Sequence, residues 1–364
     1  MARGEIALRE LQTPALLIRL DRVRHNIGRM AEHVRGDLRR WRPHVKTSKI
    51  PEVFDLLIAA GVRRFKCATT REMHTLLSRT DEPLDLLVAF PHRGPNLSRV
   101  AAIKADRPMH KVSIITEDAD HAAEVRDRDD RLGLFVDLDP GYHRTGIPLA
   151  DRARVEATVN AAGPALAGLH YYDGHLHDGT LEQRSGQCDQ IYADLLSLAR
   201  DLGLDGLELI TSGTPTFPAA LGHDGFADAD HTVSPGTVVY SDVRTEECGI
   251  TGFARAAHVL ARVVSAPHAD RVTCDAGSKA LDAAAGDPCA VVEGWPGLVA
   301  QTPSEEHLPL RIESGDAPAP GTLVELAPRH VCPTVNLADE AVLMEGDRII
   351  DIVPVLARGH ETVG

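Results

Sequence analysis

WRPHVKTSKIPEVFDLLIAAGVRRFKCATT, residues 41–70, holds a complete strand–helix–strand unit. WRPHVK (41–46) and RRFKCATT (63–70) are short β-rich runs. Between them, PEVFDLLIAAG places Val53, Leu56, Leu57 and Ala60 on one helical face. Pro51 suits the first turn of that helix and Gly61 its stop. The unit then recurs. Further strand candidates are LDLLVAF (84–90), HKVSIIT (110–116), RLGLFVDLD (131–139), ALAGLHYYD (165–173), LELITSG (207–213) and HTVSPGTVVYSD (231–242). Eight β-then-α units in series predict an α/β chain with a (β/α)8 TIM-type barrel. A doubly wound sheet is the alternative, because periodicity alone does not close a barrel. No GxGxxG follows an early strand, which weakens a dinucleotide reading.

After about Gly249 helical spacing fades. HVLARVVSA, RVTCDAGS, CAVVEGW, TLVELAP and RIIDIVPVLA are separated by Gly, Pro and Asp, the pattern of a mostly β domain. The expected division is a strand-and-helix segment over 1–25 that joins the β domain, the barrel over 26–248, and the C-terminal β domain over 249–364.

The 364 residues carry a formal charge of -14, from 39 Lys and Arg against 53 Asp and Glu. So acidic a surface repels phosphate backbones, which argues against nucleic acid as a partner. No stretch approaches the ~20 apolar residues that a membrane span needs. The opening MARGEIALRELQTP has charges where a signal peptide has its apolar run, so the expected compartment is the cytoplasm. Six cysteines lie scattered without a CxxC pair, which disfavours disulfides and a zinc ribbon.

Lysine is scarce: six stand against 33 arginines, so chemistry that needs an amine has few candidates. Lys46 falls at the C-terminal end of the first barrel strand, the end that carries active sites in barrels. Walled by protein, such an amine can attack an aldehyde; an isolated lysine is more often a surface residue. In PRHVCPTVNL (328–337), His330 and Cys332 are two apart, so an extended segment points both the same way. Imidazole with thiolate suits Zn²⁺, and two protein ligands leave positions open for water and substrate.

LQTPALLIRLDRVRHNI (11–27), with Thr13, Pro14 and Asp21, and RPHVKTSK (42–49) resemble the fold-type III pyridoxal-phosphate (PLP) enzymes. Within them the likeness is to the D-threonine aldolase and D-serine dehydratase family, whose N-terminal barrel is alanine racemase-like. That resemblance makes Lys46 the Schiff-base lysine and the base for the α-proton. Lys49 is the exposed decoy and Lys279, in CDAGSKAL (274–281), the one serious rival. Asp275 of the same stretch is a supporting residue.

The resemblance extends along the chain. VDLDPGYHRTGI (136–147) matches an Asp-rich strand ending in Arg-Thr-Gly, which puts Arg144 beside the cofactor ring, at O3' or the pyridine nitrogen. In ALAGLHYYDGHLHD (165–178), alternation sets His170, Tyr172 and Gly174 on one face. His170 and Tyr172 are the candidates for ring and substrate contacts, with His175 and His177 weaker. LITSGTPT (209–216) and VSPGTVVYSD (233–242) follow or span strands seven and eight, where barrels bind phosphate. Ser212, Gly213, Thr214, Gly236 and Thr237 are assigned to the PLP phosphate; without the resemblance SGT and PGT are ordinary turns. Tyr240 and Asp242 face either the cofactor or a partner subunit.

The family's C-terminal metal site maps to His330 and Cys332. Its dehydratases carry His-x-Cys, as here, which favours Zn. Its aldolases more often carry His-x-Asp, which suits Mn or Mg. The implied activity is therefore a metal-dependent, D-serine dehydratase-like lyase on β-hydroxy-D-amino acids, yielding a 2-oxo acid and ammonia. The competing reaction is D-threonine aldolase-type cleavage to glycine and an aldehyde. A racemase with Tyr240 or Tyr142 as second base leaves the metal pair without purpose, and a non-catalytic PLP carrier leaves HVCPTVNL idle. The resemblance also implies a homodimer.

Overall fold

The computed structural model describes residues 7–204 and 206–363; the first six residues of the N-terminal segment, and Asp205 and Gly364, lie outside it. Seven parallel strands pair side by side in chain order: Arg64–Cys67, Asp85–Val88, Lys111–Thr116, Gly133–Asp139, Leu166–Tyr171, Glu208–Thr211 and His231–Val233. Residues 41–45 close the ring. Trp41 bridges to Val233 and His44 to Lys66, with Arg42 N donating to Val233 O at 2.9 Å and Val45 N to Lys66 O at 2.8 Å. The (β/α)8 expectation is met, with all eight runs in the anticipated order. The eighth is shorter than expected, because after Val233 the chain leaves the sheet and makes a single 3₁₀ turn over Thr237–Val239.

Strand alternation stacks the barrel interior in layers. At the base, Arg42 is fully buried and donates to both oxygens of Glu208 (2.7–3.0 Å), to Asp85 Oδ1 (3.0 Å) and to Phe65 O (3.2 Å). Thr232 Oγ1 donates to the same Glu208 at 2.8 Å. Above lies an apolar layer of Leu87, Ile115, Phe135 and Ile210. Gly168 makes room for it: a Cβ there would stand 2.4 Å from the Phe135 ring and 2.1 Å from Glu208 O.

Helices wrap the outside. Pro51–Ala59 begins on its proline and ends at Gly61 (φ 101°), but its buried face is Val53, Phe54 and Leu57, with Ala60 exposed. Thr69 and Glu72 cap Thr70–Leu77 reciprocally. Glu72 also corrects the expectation for Lys49, which is 6 % exposed and donates to Glu72 Oε1 at 2.7 Å and Ala357 O at 3.3 Å. The helix Leu20–His33 packs beside Pro51–Ala59 and the Thr237–Val239 turn, completing the ring. Its buried Asn26 bonds Val239 O, Ala254 O and Ala254 N. The division expected between residues 25 and 26 falls inside this helix.

The second sheet has nine strands. Six of them (Ala257–His268, Arg271–Cys274, Leu308–Ile312, Leu298–Ala300, Ala290–Val292 and Leu323–Pro328) close antiparallel on themselves, because Ala257–His268 pairs with both its end neighbours. Ala15–Arg19 extends the sheet, antiparallel to Ala257–His268 and parallel to Glu340–Glu345. All six cysteines are free thiols, five of them buried. Among the described residues no helix is long and apolar enough to cross a membrane.

Removing one partner of a buried ion pair strands the other's charge, at a cost of about 3–5 kcal/mol. Glu208→Ala should lower stability by about that much in denaturant titration, whereas Asp230→Ala, which removes the more exposed of the two carboxylates beside Arg64, should cost under about 1 kcal/mol.

Candidate active site

A cavity of about 270 Å³ opens at the C-terminal mouth of the barrel. Strand one contributes His44, Lys46 and Thr47; the loops after the later strands contribute Tyr142 and Arg144, then Tyr172 and Gly174, then Gly213 and Thr214, then Ser234, Gly236 and Thr237. His330 and Cys332 enter from the β domain. A wider depression of about 500 Å³, at the other end of the barrel beside Arg39, Arg63 and Met109, gathers none of these groups.

Of the residues assigned to the lysine, cofactor and metal sites, nine share one cavity: Lys46, Arg144, Tyr172, Gly213, Thr214, Gly236, Thr237, His330 and Cys332; Tyr142, His177 and Asp242 line it too. Two of the assigned residues do not wall it. Ser212 is fully buried behind the loop with φ at 59°, a conformation that non-glycine residues adopt under strain. His170 lies one layer below Tyr172, because inward positions two apart on a strand stack along the barrel axis. It bonds Asp137 and Lys66 instead. Tyr240 faces neither cavity nor partner: it is buried and its hydroxyl donates to Ser48 O at 2.9 Å. Lys279 lies outside the cavity, exposed and paired with Glu305 and Glu306. Asp275 accepts from Thr13 Oγ1 at 2.5 Å and Arg262 N at 2.7 Å, a link within the β domain.

The loops have the chemistry of an anion cradle. The hydroxyls of Ser212, Thr214 and Ser234 are buried and lack a hydrogen-bond partner among the described atoms. Gly236 lets the chain approach closely: a Cβ would stand 2.3 Å from His44 O. Orphaned donors and a glycine-lined turn opposite an amine fit a phosphorylated aldehyde such as PLP. The guanidinium of Arg144 sits 4.7 Å from the Tyr142 ring centroid and 5.0 Å from that of Tyr172, and His175 stacks on Tyr142.

The His330–Cys332 pair meets by a different route from the one expected. The segment is not extended: His330 precedes a helix over Val331–Leu337, which buries Val331, Thr334 and Val335. Asp242 anchors the turn by accepting from Val331 N at 3.0 Å. Its other oxygen caps its own short helix by accepting from Thr245 N at 2.8 Å. Thr47 Oγ1 lies 3.1 Å and Thr237 Oγ1 3.6 Å from Cys332 Sγ, and His330 Nδ1 lies 3.4 Å from Asp282 Oδ2. Burial pushes the Cys332 thiol up, but the His330 imidazole and the charge of Lys46 outweigh it and hold the thiol below its ordinary pKa. An imidazole and a thiol poised to ionise fit a borderline-soft cation, and among the described residues no cluster of three or more His, Cys, Asp or Glu completes a closed cage.

His44, Thr47, Ser234 and Arg244 also line the cavity and escaped the sequence reading. His44 carried a signal: it is two residues before Lys46, on the same strand face. Burial, then the charges of Lys46 and Lys66, hold its pKa well below the ordinary value, so it stays neutral.

Residues 18–243 match the family profile described as alanine racemase, N-terminal domain, and residues 256–344 that of a putative serine dehydratase domain. A D-threonine aldolase from Arthrobacter sp is 30% identical over 97% of this chain and 94% of its own length. A D-threo-3-hydroxyaspartate dehydratase from Delftia sp. (strain HT23) is 27% identical over 89% of this chain and 92% of its own. The solved D-threonine aldolase from Filomicrobium marinum superposes with a TM-score of 0.84 at 24% identity, covering 98% of this chain and 99% of that one.

The close approach at Gly236 can be tested directly. Gly236→Ala should weaken PLP binding at least ~10-fold in an absorbance titration, while Gly222→Ala, with nothing within 4 Å of the added Cβ, should leave it unchanged.

Proposed function

The chain belongs to the alanine racemase N-terminal domain family and is a PLP-type lyase, and on that premise we propose a divalent-metal-dependent dehydratase of β-hydroxy-D-amino acids. Its products would be a 2-oxo acid and ammonia. The observation that carries the reading is the 3.1 Å contact between Cys332 Sγ and Thr47 Oγ1, which sets the ligand pair one residue from the lysine.

In this reading Lys46 Nζ would hold the cofactor's aldehyde carbon. The hydroxyls of Thr214, Ser234 and Thr237, with the backbone at Gly213 and Gly236, would hold its phosphate. When bound, PLP supplies an electron sink for the charge that develops at the substrate's α-carbon. Lys46 Nζ, at the cavity mouth, would take the proton from the substrate's α-carbon. Arg144 orients anionic oxygen at the mouth, and the Tyr172 ring forms a floor that excludes water from below. His330 and Cys332 would hold Zn²⁺, which would supply Lewis acidity beside the substrate's β-hydroxyl. Two protein donors leave room there for that hydroxyl. The same reading makes the protein a cytoplasmic homodimer.

Retro-aldol cleavage to glycine and an aldehyde is the second reading, favoured by the 30% identity to a D-threonine aldolase. The thiolate at Cys332 tips the choice toward elimination.

Purified enzyme should be given D-serine, D-threonine and D-threo-3-hydroxyaspartate with Zn²⁺ or Mn²⁺ and its products identified. A 2-oxo acid plus ammonia is expected; glycine plus an aldehyde would reverse the assignment. Lys46→Ala should lower turnover at least ~100-fold and abolish the borohydride-reducible adduct. Cys332→Asp should shift metal preference from Zn²⁺ toward Mn²⁺, and an unchanged preference would show that the thiolate does not set it.

A further inference from the structure

Three ionisable side chains meet inside the barrel just beneath the cavity, each from an inward position of a different strand. Asp137, His170 and Lys66 are each 3 % exposed. His170 Nδ1 lies 2.6 Å from Asp137 Oδ1, and His170 Nε2 lies 2.9 Å from Lys66 Nζ. An ammonium has protons and no lone pair, so Lys66 donates and Nε2 accepts. The imidazole proton therefore sits on Nδ1 and is donated to Asp137, which fixes one tautomer. A layer with a purely space-filling role has no need of such groups: the layer below is apolar.

The amine end of this relay meets the cavity floor. Lys66 Nζ stands 5.2 Å from the centroid of the Tyr172 ring, within range of a cation–π attraction. Arg144, from the cavity side, stands 5.0 Å from the same centroid. The ring in turn abuts the Gly213 turn, where a Cβ would come within 3.0 Å of Tyr172 Cε2.

We propose that Lys66, steered by Asp137 and His170, is a positioning residue whose ammonium fixes the Tyr172 ring against the Gly213 turn. The inference rests on reading the mouth cavity as the reaction site. The hold lasts only while the amine is charged. Burial and then the neighbouring charge of Lys46 push Lys66 down to about 7, with Asp137 opposing them and Arg144 and Arg42 adding to them. His44 also faces this group, and neutral His170 bridges it to Asp137. Below that pH the cation is present and the ring is held; above it the amine is neutral and the ring is released.

The holoenzyme has five tyrosines, so [ζ-¹³C]tyrosine labelling gives a countable NMR spectrum in which Tyr172→Phe assigns the signal of interest. The Tyr172 signal should move through one step, at a higher pH than in the cofactor-free protein, because Lys46 joined to the cofactor no longer lends the charge that lowers Lys66. Lys66→Met should abolish the step, Lys66→Arg should hold the low-pH position throughout, and Asp137→Asn should move the midpoint to lower pH. A wild-type Tyr172 signal that stays flat from about pH 6 to about pH 9, or a step that survives in Lys66→Met, overturns the proposal. If Lys66→Met fails to fold, the wild-type and Asp137→Asn titrations still decide. The readout needs no turnover, so a failed product assay and a failed titration strike different claims.

Discussion

A guanidinium sealed from solvent holds the barrel shut. Arg42 lies on the segment that closes the ring, and its five N–H groups reach Glu208 on the seventh strand, Asp85 on the third and a carbonyl on the second. Two carboxylates and a carbonyl are what such a group needs when water is excluded. Four residues further on the same segment is Lys46, so the network at the base sets the height at which the amine emerges at the mouth. The polar base, apolar middle and ionisable upper layer follow from two-residue alternation along parallel strands.

The barrel was legible because its strands are buried on both faces and read as short apolar runs punctuated by Gly, Pro and charge. The β domain was legible only as β. Leu298–Ala300 is only three residues long and Leu308–Ile312 is interrupted by Pro309, so neither stands out, yet both are needed to close it. HVCPTVNL misled, because the two-residue spacing of His330 and Cys332 was taken for an extended segment, whereas Pro333 sits in the first turn of a helix, where proline is tolerated. The spacing of Val331, Thr334 and Val335 was the helical signal within it.

Much of the cavity was legible through motif resemblance, and the remainder depends on pairings between distant residues. Lys49 reads as a surface lysine until Glu72, on another helix, is placed against it. His170 reads as a cavity residue until the barrel stacks it beneath Tyr172. Its partners come from strands that begin about a hundred and about thirty residues earlier, beyond the reach of any local pattern.

The chain's opening segment is shared by both halves of the molecule. Ala15–Arg19 is an interior strand of the nine-stranded sheet, and the helix directly after it completes the wrapping of the barrel. During synthesis this strand is made well before Ala257–His268 and Glu340–Glu345 and must wait for both before its edges are covered. Final locking of the sheet is thereby tied to the appearance of Glu340–Glu345, more than three hundred residues later. A nick between Ala15 and His33 would wound both lobes at once, so neither lobe is a self-sufficient module that recombination could lift out intact.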